Sequence, residues 1–287
     1  MPSNPRHFLI MILADFNFKT NLNKILSSGT WDSNPRPKYK DGTPAKSKYV
    51  TQVFEQYNLE NFEFPITTLR NTAIRTGILE ILWIYQLKSN DLSVAKNMGI
   101  NWWDEWDIGD GTIGQRYGAT VDKWNLIDKL LIGLKEDPFS RRHIMNLYQE
   151  SDLISSKGLF PCAYETIWSV RESKKGNLLI DMTLIQRSSD YLVANYINKS
   201  QYCALMLMVA GHLGYEVGVF SHFVQNLHIY DRHMPAAEEI LNREPMLDQP
   251  KIELRNKKSF YDYSIDDFKT INTSKIEKIS SQLELAI

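Results

Sequence analysis

Cys162 stands in "FPCAYETIW", between a proline and a run that alternates like a β-strand. A thiolate is a soft nucleophile suited to adding to a conjugated carbon, and cationic neighbours lower the thiol pKa. No histidine adjoins it, and the six histidines form no cysteine-protease pattern around it. Taken alone, it reads more readily as buried packing. Arg187 and Ser188 follow an apolar run in "QRSSD", and Arg36 sits in a Pro-rich loop. Guanidinium groups with a hydroxyl supply the paired, charge-assisted donors that a phosphate monoester needs. Arg141 and Arg142 follow Asp137-Pro138 and otherwise read as a solvated pair at a turn.

His228 and Tyr230, two apart on a strand, point the same way and can share one ligand hydroxyl; packing explains them equally well. His222, His228 and His233 are separated by six and five residues, which fits no common metal motif, so no metal is expected. Trp102, Trp103 and Trp106 in "INWWDEW" suit either a core or a stacking wall for a flat heterocycle; Asp104 and Glu105 argue for a place near the surface. "GDGTIGQRYG" matches neither phosphate-loop pattern. Glu80 interrupts an apolar helical stripe, and the sequence alone favours a solvated edge position for it.

The elements that must place these residues follow from periodicity. A short helix ends near Ser27, a loop runs from Asp32 to Ser47, and a strand begins at "SKYVTQ". Helical spacing predicts core helices over Thr72 to Leu87, Trp124 to Pro138 and Ser200 to Leu213, with Cys203 a small core hydrophobe in the last. "SRRHIMNLY" reads as a strand, and Ala163 to Arg171 and Leu178 to Arg187 as a strand pair joined by "ESKKGN". Without regular βαβ alternation, the expectation is one α+β domain over residues 1–287.

Of 287 residues 43% are hydrophobic, enough for one large core. The net charge of -1 provides no global basic field for nucleic acid or an anionic membrane. The apolar run Phe8 to Leu13 is too short to span a bilayer, and two cysteines make no disulfide framework, so a cytoplasmic protein with free thiols is expected.

In order, "EILWIYQL", "WWDEW", "GQRYG", "DPFSRRHI", "FPCAYETIW", "QRSSDYLVANYIN", "HIYDRHM", "FYDYSIDDF" and the terminal "LAI" make the chain resemble the thymidylate synthases from about Ile25 to Ile287. "CAYETIW" and the loop "PRPKYKDGTPAKS" resemble most the divergent branch of some bacilli and their phages. The resemblance implies a mixed sheet flanked by helices, with sheets packed across a homodimer interface, and reductive methylation of dUMP to dTMP. Its co-substrate would be 5,10-methylenetetrahydrofolate, released as dihydrofolate, and no metal or nucleic acid would be required.

The resemblance makes Cys162 the nucleophile for uracil C6. Arg36, Arg187 and Ser188 would hold the phosphate, with Arg141 and Arg142 reaching across from the second subunit; the arginines would also favour the thiolate. Asn198 would read the uracil edge, and His228 and Tyr230 the ribose hydroxyl. Glu80 would order water and assist proton movement, and Tyr117 would help remove the C5 proton. Asp190 would border the nucleotide and bind the pterin, with Trp103 and Trp106 beside the folate and Ile287 closing the site. Ala163, Ala194, Gln225, Asn226 and Leu69 depart from the usual family pattern on the folate and water side. Those departures leave open a dUMP hydroxymethylase, in which water traps the exocyclic methylene. A family member that only binds its own messenger RNA is disfavoured by the retained Cys162, Arg187, Asn198 and Tyr117.

Overall fold

The computed structural model describes residues 11–255 and 259–287. The expected apolar run from Phe8 therefore lies outside the described residues as far as residue 10. Helix α1 (Leu13–Ser28) buries Ala14, Phe18, Leu22 and Ile25 along one stripe and starts well before the short helix expected from sequence. Two strands follow, β1 (Thr30–Trp31) and β2 (Ser47–Asn58), then α2 (Ile74–Ile81) and a wide π-type stretch, Leu82–Gln86. Next come α3 (Leu92–Asn97), α4 (Gly118–Lys123), α5 (Leu126–Glu136), β3 (Ile144–Asn146) and α6 (Glu150–Ser155). The hairpin of β4 (Ala163–Glu172) and β5 (Leu178–Gln186) leads through β6 (Ser189–Asp190) into α7 (Asn195–Leu213). The chain closes with β7 (Glu216–Tyr230), α8 (Met234–Asn242), β8 (Lys251–Leu254) and β9 (Phe268–Ile271).

The main sheet has the order β1-β2-β7-β5-β4-β3, with β6 alongside β7. Strands β5 and β6 run parallel to β7 and the other pairs are antiparallel, so the sheet is mixed as expected. Register fixes which residues face inward. Glu55 lies opposite His222 and Val53 opposite Val224, and on the other side of β7 Leu184 pairs with His222 and Gln186 with Val224. The period of two then turns Phe54, Ile185 and Phe223 to the opposite face.

Helix α7 covers the inner face and is buried almost throughout, Cys203 included. It begins five residues earlier than its apolar pattern, because its first turns carry Asn195, Asn198, Lys199 and Gln201. Lys199 is fully buried, yet its ammonium meets the Glu55 carboxylate at 2.7 Å and lies 3.5 Å from the Tyr196 ring centre. A buried cation needs such partners, and a hydrophobicity pattern does not reveal them. Gly77 lets α2 approach α7 closely: a Cβ there would stand 3.0 Å from Gln201 Cγ and 3.1 Å from Ile197 Cγ2. Among the described residues no helix is long and apolar enough to cross a membrane.

Candidate active site

The thiol stands just ahead of β4, where pairing with β5 begins through an irregular step between Ala163 and Glu165. Arg187, at the end of β5, holds that segment in place. Its amide donates to Cys162 O at 3.0 Å, Nε donates to Pro161 O at 3.0 Å, and Nη2 donates to Phe160 O at 2.7 Å and reaches Cys162 Sγ at 3.4 Å. Nη1 has no such partner among the described residues and remains for a ligand. Burial pushes the thiol pKa up, while the charges of Arg187 and Arg36 pull it down without overcoming burial. The two arginines thus favour the thiolate as expected, but within one chain desolvation is the larger effect. Arg36 also acts on the Tyr230 phenol, so the Pro-rich loop brings its guanidinium to the Cys162 end of the sheet.

Tyr117 precedes α4 with φ 45° and ψ -107°, a conformation that non-glycine residues seldom adopt and that clusters at functional sites. Its hydroxyl accepts from Cys162 N at 3.3 Å. Burial holds the phenol far above its ordinary pKa, so the hydroxyl can pass a proton along only by receiving one as it gives another.

Glu80 is buried, contrary to the solvated edge position favoured by sequence. The Trp102 indole donates to its Oε2, Gln201 adds a second hydrogen bond, and desolvation raises the carboxyl pKa to about 7. The apolar surround visible in the sequence was thus the wall of a buried acid. Asn198, one turn from Gln201 on α7, donates from Nδ2 to Gln201 Oε1 at 2.8 Å and accepts at Oδ1 from Gln186 Nε2 at 3.2 Å. Gln186 Oε1 in turn lies 2.6 Å from His222 Nε2. None of Gln186, Gln201 and His222 was singled out for this purpose. The inward alternation of β5 and the one-turn spacing from Asn198 were the available signals.

His228 and Tyr230 stand together at the end of β7, ring centres 5.0 Å apart, and burial lowers the His228 pKa. Ser188 follows Arg187 at the same end. Asp190 Oδ1 accepts from the amides of Leu192 and Val193 at 3.0 and 3.1 Å, while Oδ2 lies 3.8 Å from the buried His233 Nδ1. Trp103 is buried against Trp83, Trp106 and Tyr117 and does not lie near the surface as expected; the exposed Asp104 and Glu105 belong to the next turn. Ile287 exchanges backbone hydrogen bonds with Lys38 at 2.7 and 2.9 Å, so the last residue is tied to the loop that carries Arg36. An open cleft of about 590 Å³ lies between that tail and Tyr39, Glu105 and Arg232. Arg141 and Arg142 are exposed in the turn before β3 and join neither Cys162 nor any ion pair among the described residues. Among the described residues no group of His, Cys, Asp or Glu is arranged to hold a metal ion. His222, His228 and His233 instead face Gln186, Asn226 and the Glu284 carbonyl.

The family model described as thymidylate synthase matches residues 16–285. A thymidylate synthase of Lactococcus lactis subsp. cremoris is 47% identical over 280 residues, covering 96% of this chain and all of that protein. One from Streptococcus mutans is 44% identical over 281 residues with the same coverage. Among solved structures, the thermostable thymidylate synthase A from Bacillus subtilis superposes with a TM-score of 0.87 at 34% identity, covering 96% of this chain and 99% of that one.

Proposed function

The chain belongs to the thymidylate synthase family, and we propose that it methylates dUMP at C5 through a thioether between Cys162 Sγ and uracil C6. The observation that carries this reading is the clamp on Cys162: the Arg187 guanidinium fixes the two carbonyls that precede the thiol, touches the sulfur and keeps Nη1 in reserve, while the Arg187 amide holds Cys162 O. A phosphate bound by Nη1 of Arg187, with Arg36 and Ser188, would hold the nucleotide beside the thiol. Attack by sulfur on C6 moves electrons onto C5 and O4 and makes C5 the nucleophile for the one-carbon unit.

Asn198 faces the uracil edge in this reading, accepting from N3–H and donating to O4. His228 and Tyr230 take the ribose hydroxyl. Glu80, with a pKa near neutrality, holds or releases a proton on the pyrimidine side, and Tyr117 relays the proton lost from C5. The co-substrate, 5,10-methylenetetrahydrofolate, supplies the one-carbon unit and the hydride. Asp190 suits its pterin because one carboxylate oxygen is satisfied by backbone amides while Oδ2 accepts no hydrogen bond among the described residues. Trp103 and Trp106 offer ring faces beside it, and Ile287 closes the tail over the site.

Residues 1–287 act as one catalytic domain in a cytosolic homodimer. The outer sheet face supports the dimer. Phe54 is 57% exposed and Ile144 52% exposed, and Ile167, Ile185 and Phe223 lie between them. An apolar sheet face of this kind calls for cover, and a second copy provides it by two-fold symmetry. Arg141 and Arg142, in no ion pair among the described residues, would then complete the partner's phosphate site and add the charge that Cys162 lacks. Cys162→Ala tests the reading: turnover should vanish while dUMP still binds, and unchanged turnover would refute it.

A further inference from the structure

Four side chains are hydrogen-bonded in series: Gln201, Asn198, Gln186 and His222. The line has a direction. Gln201 turns its oxygen to Asn198 Nδ2. Asn198 must then donate from Nδ2 to Gln201 and present Oδ1 to Gln186. Gln186, donating to that oxygen, presents its own oxygen to His222 Nε2. The far end must therefore be a donor. His222 is fully enclosed, stacked near Phe220 with Lys199 acting on it, and both burial and that cation keep the ring neutral. With one proton to place, the ring carries it on Nε2, where Gln186 accepts it.

We infer that His222 is a positioning residue for uracil specificity: acting through Gln186, it fixes the amide of Asn198 with oxygen and nitrogen in the order that matches uracil and opposes cytosine. The inference rests on the reading that Asn198 meets the pyrimidine edge. Each chain bond uses one lone pair of Oδ1 and one hydrogen of Nδ2, leaving one of each for the base. Uracil offers a donor at N3 and an acceptor at position 4, while cytosine offers the reverse. A turned-over amide would exchange the preference. His222 makes no claim on the base itself, and it lies on the central strand β7 behind the site.

The test compares binding of dUMP and dCMP to the full-length protein, with kcat and KM for dUMP. His222→Phe removes the donor and should shrink the dUMP-over-dCMP preference about tenfold, the size of one lost buried hydrogen bond. His222→Gln, which keeps a donor, should restore most of it. Gln186→Glu leaves His222 its acceptor but offers Asn198 no donor, so its preference should fall as well; it decides the matter if His222→Phe does not fold. The control is Asn198→Asp. If that variant changes the preference and neither His222→Phe nor Gln186→Glu does, the inference is overturned and the reading of Asn198 stands. If Asn198→Asp leaves the preference unchanged, the reading of Asn198 fails and the inference with it.

Discussion

Cys162 is the residue whose chemistry depends most on its surroundings, since burial raises its pKa while Arg187 and Arg36 oppose that rise. Arg187→Leu should therefore move the pH midpoint for alkylation of Cys162 by iodoacetamide upward. At neutral pH the alkylation rate should fall. An unchanged midpoint would mean that the guanidinium only holds the backbone. Glu80 gives a second residue-scale prediction. Its pKa of about 7 against an ordinary 4.5 means that its contribution to stability is full below pH 4.5 and lost as pH rises through 7. Relative to wild type, Glu80→Gln should gain up to about 3 kcal/mol of stability between pH 4.5 and pH 8, read by urea unfolding at both. It should also lose most activity. A stability difference that does not change with pH would contradict the buried acid. The sequence showed Cys162 and Arg187 as chemically suited residues, and the family resemblance added Asn198, but neither could show the sign of the Cys162 shift or the burial of Glu80. Both depend on enclosure by distant segments.

At the scale of elements, α2 carries Glu80 and α7 carries Asn198 and Gln201, and Gly77 lets the two helices pack closely. Gly77→Ala should push against Gln201 and Ile197, costing about 1–2 kcal/mol of stability in urea unfolding, as overpacking does. Because Glu80 lies one turn further along α2, kcat should fall as well. Loss of stability with kcat intact would separate the packing from the chemistry. The core helices and the β4–β5 hairpin were legible because apolar periodicity marks them. The first turns of α7 were not, since Asn195, Asn198, Lys199 and Gln201 are polar residues buried against polar partners. Pattern reading takes such residues for loop, although here they are the part of the helix that faces the site. The start of α1 was missed for a simpler reason: Asp15, Asn17 and Asn21 dilute its stripe, and buried Asp15 is satisfied by Thr67 and Thr68.

At the scale of the whole molecule, one chain brings Arg36 and Arg187 to the thiol and leaves Arg141 and Arg142 outside. If the second copy supplies them, Cys162→Ala and Arg142→Glu should each be nearly inactive. Mixed after reversible dissociation, they should regain activity, because one site in the mixed dimer then has its thiol and its borrowed arginine. No recovery would show that each chain works alone. Phe54→Lys should shift the sedimentation of the protein toward the monomer, since it places a charge on the apolar outer face. The expectation of this assembly comes from the family resemblance; composition and periodicity say nothing of it. The most direct test of the central claim is to supply dUMP and 5,10-methylenetetrahydrofolate and follow dihydrofolate by absorbance and the nucleotide by mass. One dihydrofolate for each dTMP is the expected result; 5-hydroxymethyl-dUMP formed without dihydrofolate would contradict it.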